Sequence, residues 1–271
     1  MISTETSTES EAAWDEGLLR DPHAVADKRS RVRRMFAAIA PSYDLNNRLH
    51  SLWMDQHWRR KAVKLAELQG IETVVDVACG TGDLALAFAD GLYRINQDAP
   101  KLLGIDFTQQ MLVFARQKAE RKYRVYRDGE SADYIGWACG DATSLALGDE
   151  SCDVLSIAFG IRNVSDPAAA IREFHRVLRP GGRLIILEFS LPTNPMLRSM
   201  YNFYFRQILP RTATLISRDK TGAYKYLPES VNTFIGREQM MTMMREAGFT
   251  NVEQFPMTFG ICVCYRGVKA S

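Results

Sequence analysis

No stretch of the 271-residue chain approaches the roughly 20 consecutive apolar residues that a membrane-spanning helix needs. Charge of one sign is equally scarce: 34 Lys and Arg stand against 32 Asp and Glu, a net of +2, which gives no electrostatic case for a nucleic-acid partner. Cysteine is odd in number and scattered (Cys79, Cys139, Cys152, Cys262, Cys264) with no paired CxxC. That pattern argues against a disulfide frame and a zinc site and fits a reducing compartment. The N-terminal MISTETSTESEAAW has no apolar core of a secretory signal and is too acidic for a mitochondrial transit peptide. A cytoplasmic protein is expected.

What is present reads as an ordinary soluble fold. With 46% hydrophobic and 24% charged residues, the chain can bury one sizeable α/β core. The segment to about Asp21 is rich in Ser, Thr and Glu, so residues 1–26 are expected to form a flexible acidic tail before one domain over 27–271. Two basic runs, Lys28–Arg29–Arg31–Arg33–Arg34 and Arg116–Lys118–Arg121–Lys122–Arg124–Arg127, read as solvated helix faces.

Val32, Met35, Phe36 and Ile39 recur at helical spacing before Pro41. Strands then alternate with helices. TVVDVA (Thr73–Ala78), LLGID (Leu102–Asp106), DVLSIAF (Asp153–Phe159) and RLIILEF (Arg183–Phe189) are buried-type strands. Helices are expected over Gln109–Arg124, Pro167–Leu178 and Arg237–Ala247, with two last strands over Asn251–Phe255 and Gly260–Lys269. Such alternation predicts a mostly parallel sheet with helices on both faces. The segment Leu191–Ser217, aromatic and Pro-punctuated, breaks the rhythm and is where a substrate cover would sit.

The turn Asp76-Val77-Ala78-Cys79-Gly80-Thr81-Gly82 joins a strand to a helix, and Gly80 and Gly82 permit torsions and close approach that a side chain would block. Gly80 to Ala85 also fits the dinucleotide fingerprint, and an acid after the next strand, Asp106, suits ribose hydroxyls in either class. A nicotinamide oxidoreductase and an S-adenosylmethionine enzyme therefore both remain. Asp76 favours the second, because an acid beside the glycine loop repels a pyrophosphate and attracts a cationic sulfonium or amine. So do Asp141, placed at a strand end to accept from an adenine amino group, and the Arg179-Pro180-Gly181-Gly182 turn. A helix cap at Asp141 and a plain turn at the glycines are the bland alternatives.

Longer strings narrow the choice. RMFAAIAPSYDLNNRLHS, DVACGTGDLAL, FGIRNVSDP, RVLRPGGRLIILEFS, YKYLPESVNTFIGREQ and MREAGF together resemble the UbiE/COQ5 (MenG) C-methyltransferases of menaquinone and ubiquinone biosynthesis, from about Val32 to Lys269. The resemblance implies a Rossmann-like class I S-adenosylmethionine-dependent methyltransferase with a seven-stranded sheet, the N-terminal helices and residues 191–236 covering the substrate. It implies S-adenosylmethionine as methyl donor, no metal, and cofactor contacts at Thr81, Asp106, Asp141 and Ala142. At position 158 the family often has a contacting Ser where this chain has Ala158, and Asn46 and Trp53 stand where Met and Gly are common. A catalytically weak scaffold in a quinone-synthesis complex is the non-enzymatic alternative.

The implied substrate is a prenylated quinol, demethylmenaquinol in preference to 2-methoxy-6-polyprenyl-1,4-benzoquinol. A ring carbon attacks the methyl only when the ring is reduced and a hydroxyl proton is lost. Arg162, always protonated, is expected to stabilise the developing phenolate, with Asn163 orienting the quinol oxygen and Tyr43 closing over the site. The alternative for Arg162 is a surface salt bridge to Asp166; for Tyr43 and Asp44 it is a helix cap with a packed aromatic. His50 and His57 are read as structural. Met196, Leu197, Met200, Tyr201, Phe203, Tyr204, Phe205, Ile208 and Leu209 are expected to wall the quinol site and touch the inner face of the plasma membrane weakly, as a homodimer or within a larger complex.

Overall fold

The computed structural model describes residues 13–98, 100–123, 135–217 and 219–271. The aliphatic runs become strands Thr73–Val77 (β1), Lys101–Asp106 (β2), Ile135–Cys139 (β3), Cys152–Ala158 (β4) and Leu178–Phe189 (β5), all parallel. Phe249–Met257 (β6) and Cys262–Lys269 (β7) complete the sheet antiparallel, in the order β3-β2-β1-β4-β5-β7-β6. The Arg179–Gly182 turn lies inside β5, where pairing jumps from Leu178 opposite Cys152 to Arg183 opposite Val154.

Side-chain alternation sorts the strands between two layers. Val75, Val77, Leu155, Ile157, Leu184 and Ile186 face helices Pro167–Val177 (α6) and Arg237–Glu246 (α10). Val74, Val154, Ile185 and Leu187 face Met54–Leu65 (α3), Asp83–Asn96 (α4) and Gln109–Tyr123 (α5). Helix α6 starts sharply because Asp166 accepts from the Ala169 amide and Pro167 presets the first turn.

A third cluster caps the carboxyl edge of the sheet. It joins Lys28–Ile39 (α1) and Tyr43–His50 (α2) to Pro195–Phe203 (α7), Leu209–Ser217 (α8) and Ala223–Asn232 (α9). The segment that breaks the βα rhythm is thus helical. Asn194 caps α7 by accepting from the Met196 and Leu197 amides, and a π-helical turn, Tyr204–Ile208, separates α7 from α8. The turn places Tyr201, Phe205 and Leu209 in the cap while Met196, Met200 and Phe203 stay exposed.

Two expectations change here. Residues 1–12 of the acidic tail lie outside the described residues, but Ala13 and Trp14 are buried, so the packed chain begins well before Asp27. Trp14 stacks on Tyr226 at 4.3 Å and its amide donates to the Thr221 carbonyl. Composition hid this because one aromatic among polar neighbours carries no periodicity. In the first basic run, Lys28 is buried and donates to the Arg162 and Val164 carbonyls at 2.9 Å, so that face of α1 is not solvated. Arg124 and Arg127 of the second run lie outside the described residues.

Trp14→Ala should cost about 3–5 kcal/mol, as for other buried aromatic truncations. Thermal unfolding checks this; an unchanged Tm would return Trp14 to a frayed tail.

Candidate active site

The site forms where open parallel sheets present their carboxyl ends. At the ends of neighbouring strands, Ala78 after β1 and Phe159 after β4 both take left-handed torsions, φ 50° and 56°. Non-glycine residues rarely hold this conformation, and where they do it is often at a functional site. Gly82 has φ 83°, and a Cβ there would stand 2.7 Å from the Trp137 ring. At Gly80 a Cβ would meet only the Tyr43 ring, 4.0 Å away, so that position is glycine for its φ of 56° and for an open cradle.

Charges clamp α2 onto this loop. Thr81 donates its hydroxyl to Asp44 at 2.5 Å, and Lys118 pairs with both Asp44 and Asp83. Although burial opposes ionisation of Asp83, Arg59, Lys118 and Arg48 hold its carboxyl down to about 2. Asp44 is therefore no helix cap; it fastens α2, which carries Tyr43, to the loop and to α5. Thr81 spends its hydroxyl on the same clamp.

A first cavity of about 470 Å³ is walled by Gly80, Asp106, Asp141, Ala142, Ala158 and Asn163, with Arg29, Phe36 and Tyr43 across from them. Asp106 accepts from the Gly80 and Thr108 amides, both at 2.7 Å, which shapes the loop and leaves further lone pairs for ribose hydroxyls. Burial raises its carboxyl above the usual range. Asp141 accepts from Thr143 and pairs with Arg29 at 2.9 Å, so its turn-stabilising role is real and it shares its charge with α1. The Arg29 guanidinium also lies 4.6 Å over the Phe107 ring. A carboxylate with free lone pairs, a glycine cradle and an aromatic wall together can accept a nucleoside.

Asp76, Thr81 and Gly82 are not on that wall. Asp76 is 1% exposed, accepts from Ser156 at 2.7 Å, and has a second oxygen with no partner among the described residues. Burial pushes its carboxyl up to about 7 against that bond.

A second cavity of about 480 Å³ abuts the first, and Phe36, Tyr43 and Phe159 line both. Its walls are mostly apolar and include Trp58, Phe189, Leu197, Met200, Tyr201, Tyr204, Phe205 and Leu209, whereas Met196, Phe203 and Ile208, also expected there, face away from it and are exposed. Arg162 reaches this cavity from the 3-10 turn after β4, not the surface, and its partner is not Asp166. It is 4% exposed and pairs with Glu188 at 2.6 Å, while the same Nη1 donates to the Phe159 carbonyl. Glu188 lies 26 residues away at the end of β5, a proximity only the sheet creates. Among the described residues the Arg162 Nη2 has no hydrogen-bond partner, which leaves one edge for a substrate oxygen. Asn163 donates to the Phe159 carbonyl and accepts from the Tyr226 hydroxyl at 2.9 Å. Sequence reasoning missed Arg29, Phe107, Phe159 and Glu188; only the left-handed torsions and the fold mark them.

Among the described residues no group of three or more His, Cys, Asp or Glu could hold a metal ion, and no helix is long and apolar enough to cross a membrane. The sheet order and the glycine cradle define a Rossmann-like class I methyltransferase. A methyltransferase from Thermotoga maritima described as S-adenosylmethionine-dependent shares the fold with TM-score 0.56 and 21% identity, covering 88% of this chain and 99% of that one. The chain belongs to the ubiE/COQ5 methyltransferase family, whose pattern it matches over residues 24–269. It is 41% identical over 247 residues to a Geobacter sp. (strain M21) ubiquinone/menaquinone biosynthesis C-methyltransferase UbiE, covering 91% of this chain and all of that one. To the Deinococcus radiodurans demethylmenaquinone methyltransferase it is 42% identical over 245 residues, 90% of this chain and 94% of that one. It is an S-adenosylmethionine-dependent C-methyltransferase of quinone biosynthesis, and the nicotinamide reading falls away.

Two outcomes follow from the buried charges. Because the folded carboxyl of Asp76 titrates near 7 and the unfolded one near 4, its stability contribution is present in acid and lost as pH rises toward 7. The Tm advantage of Asp76→Asn over wild type should grow between about pH 5 and about pH 8; a constant difference would show ordinary ionisation. Arg162→Ala should destabilise by about 3–5 kcal/mol, since it strands Glu188 without its partner. The pair Arg162→Gln with Glu188→Gln should recover most of that stability while kcat stays about 100-fold down or lower. Recovery of turnover along with stability would make Arg162 purely structural.

Proposed function

We propose that the enzyme methylates a ring carbon of a prenylated quinol, with demethylmenaquinol as the preferred substrate. The observation that carries this reading is the shared wall of the two cavities. Tyr43, Phe36 and Phe159 face both, so a ring in the apolar cavity would meet its methyl donor across three aromatic side chains. S-adenosylmethionine, held by Asp106 and the Gly80 cradle, supplies an electrophilic methyl.

The protein contributes position, a dry site and charge. Arg162 steadies a developing phenolate through its unshared edge, though Glu188 offsets part of its charge. Asn163 holds the Phe159 carbonyl and thereby the left-handed turn between the cavities. Tyr43 packs over the junction, held by the Asp44 clamp beneath it. Ala158 lines the first cavity without a hydroxyl, so the contact that Ser supplies in many relatives must come from backbone or water.

The substrate tail favours a bilayer-facing mouth. Leu52, Met200 and Phe259 line the apolar cavity yet are 78%, 63% and 79% exposed. Trp53 beside them is also exposed and keeps the left-handed backbone, φ 60°, of a position where Gly is common in the family. Each tail CH₂ removed from water is worth roughly 0.8 kcal/mol, and an interfacial Trp suits such a rim.

Turnover of demethylmenaquinol with S-adenosylmethionine, read by mass spectrometry, tests the chemistry and separates an enzyme from a scaffold. The Leu52→Ser, Phe259→Ser double variant should keep its Tm and its turnover of a tail-less quinol. It should lose flotation on anionic vesicles and several-fold activity on the long-chain quinol. Equal loss on both substrates would remove the mouth from the reading.

A further inference from the structure

Among the described residues, four buried polar atoms on side chains lining the apolar cavity have no hydrogen-bond partner: His50 Nε2, the Tyr201 and Tyr224 hydroxyls, and Arg59 Nε, which lies 3.9 Å from the Asp55 carboxylate. A buried polar atom left unpaired is costly, because it loses its hydration and gains nothing in return. Several of them in one mostly apolar cavity are best accounted for by a ligand with polar groups at its head. His50 and Tyr201 are both held in place. Tyr201 stacks on Phe205 at 4.1 Å, with the rings 27° apart. Tyr43, Asn47 and His50, spaced i, i+4 and i+7, lie on one face of α2 and all line the cavity. His50 therefore lies on the face that begins at the cofactor junction, roughly two turns farther along it.

His50 Nε2 and the Tyr201 hydroxyl differ in what they accept. Tyr204, the first residue of the π-turn, donates its hydroxyl to the His50 carbonyl at 3.4 Å and lies 3.1 Å from His50 Nδ1. Tyr204 has one proton. Both contacts can be made at once only when that proton goes to the carbonyl and the ring donates from Nδ1 to the Tyr204 oxygen, which leaves Nε2 as a bare lone pair; a proton given to Nδ1 along the shorter contact would forfeit the carbonyl bond and put the ring proton on Nε2. Burial lowers the basicity of the ring, which keeps it neutral. The Tyr201 hydroxyl, by contrast, rotates and can donate or accept. π-Helical turns occur often at functional positions, and this one carries the residue that sets the tautomer.

We propose that His50, oriented by Tyr204, selects the reduced form of the substrate by accepting a hydrogen bond that only a quinol hydroxyl can give. A quinone presents carbonyl oxygens alone, so at Nε2 two lone pairs would face each other in a low-dielectric cavity. The selection matters because only the electron-rich quinol carbon can attack a methyl group. This inference rests on the quinol reading of the same cavity, and it adds a redox filter that the reading does not require.

The test measures binding of a short-prenyl naphthoquinol, kept reduced anaerobically, and of its quinone by tryptophan-fluorescence quenching. S-adenosylmethionine calorimetry on every variant controls for folding. Wild type should bind the quinol about tenfold or more tightly than the quinone, the loss of one hydrogen bond to a buried acceptor. His50→Gln, whose amide can turn to donate, should gain quinone affinity and bring the ratio near one. Tyr204→Phe, which frees the tautomer, should shift the ratio the same way by a smaller factor. Tyr201→Phe should weaken both forms alike and leave the ratio as in wild type. A ratio unchanged in His50→Gln with both forms still bound overturns the filter while leaving quinol binding intact. Binding of neither form by folded wild type overturns the quinol reading and the filter together.

Discussion

The buried pair between Arg162 and Glu188 organises everything at the carboxyl edge of this sheet. A guanidinium and a carboxylate removed from water lose several kcal/mol of solvation each, so the pair is poor evidence of stability. What it specifies is register. Glu188 lies at the end of β5 and Arg162 in the turn after β4, and the same guanidinium holds the Phe159 carbonyl and approaches Ser230 of α9. Lys28 of α1 then seats itself on the backbone carbonyl of Arg162. One charged pair thus ties two strands and both layers of the cap to the turn that divides the cavities.

Two of the left-handed non-glycine residues stand at this edge. Ala78 and Phe159 hold left-handed torsions at the ends of adjacent strands, and each faces the first cavity. Side-by-side parallel strands give both residues the same outlook, so both chains turn away over the same space. The cost of each torsion, on the order of 1–2 kcal/mol, is offset by packing around them: Phe159 lies against Phe189 at 4.5 Å and under the Arg59 guanidinium. The junction is therefore stiff. A stiff junction is what methyl transfer requires, since attack demands alignment and the protein supplies little other chemistry.

The cap is built by different means. Its N-terminal part is held by charge on carbonyls and carboxylates, through Lys28, Arg29 and the Asp44–Lys118–Asp83 cluster. Its C-terminal part is held by aromatic packing through Trp14, Tyr201, Phe205 and Tyr226. Polar clamps hold α1 and α2 beside the first cavity, and the same two helices also wall the apolar cavity through Met35, Phe36, Ile39 and His50.

The β-branched strands, the glycine loop and the span of α6 were legible in the sequence, because each is a local preference expressed within a few residues. So was the family, carried by strings such as FGIRNVSDP that bundle many positions at once. Asp106, Asp141 and Tyr43, which line the first cavity, were legible as candidates for the same reason: each lies next to a turn or a strand end. Partners were not legible. Arg162 meets Glu188, Lys28 meets the carbonyls after β4, and Trp14 meets Tyr226 only once the sheet and cap bring distant segments together. Asp76 lies beside the glycine loop in sequence, yet the alternation of β1 turns it into the core, away from the cavity. Local chemistry determined the elements and the family; the tertiary structure decided which charges are spent within the protein and which edges remain for a ligand, because burial and pairing are set by neighbours far apart in the chain.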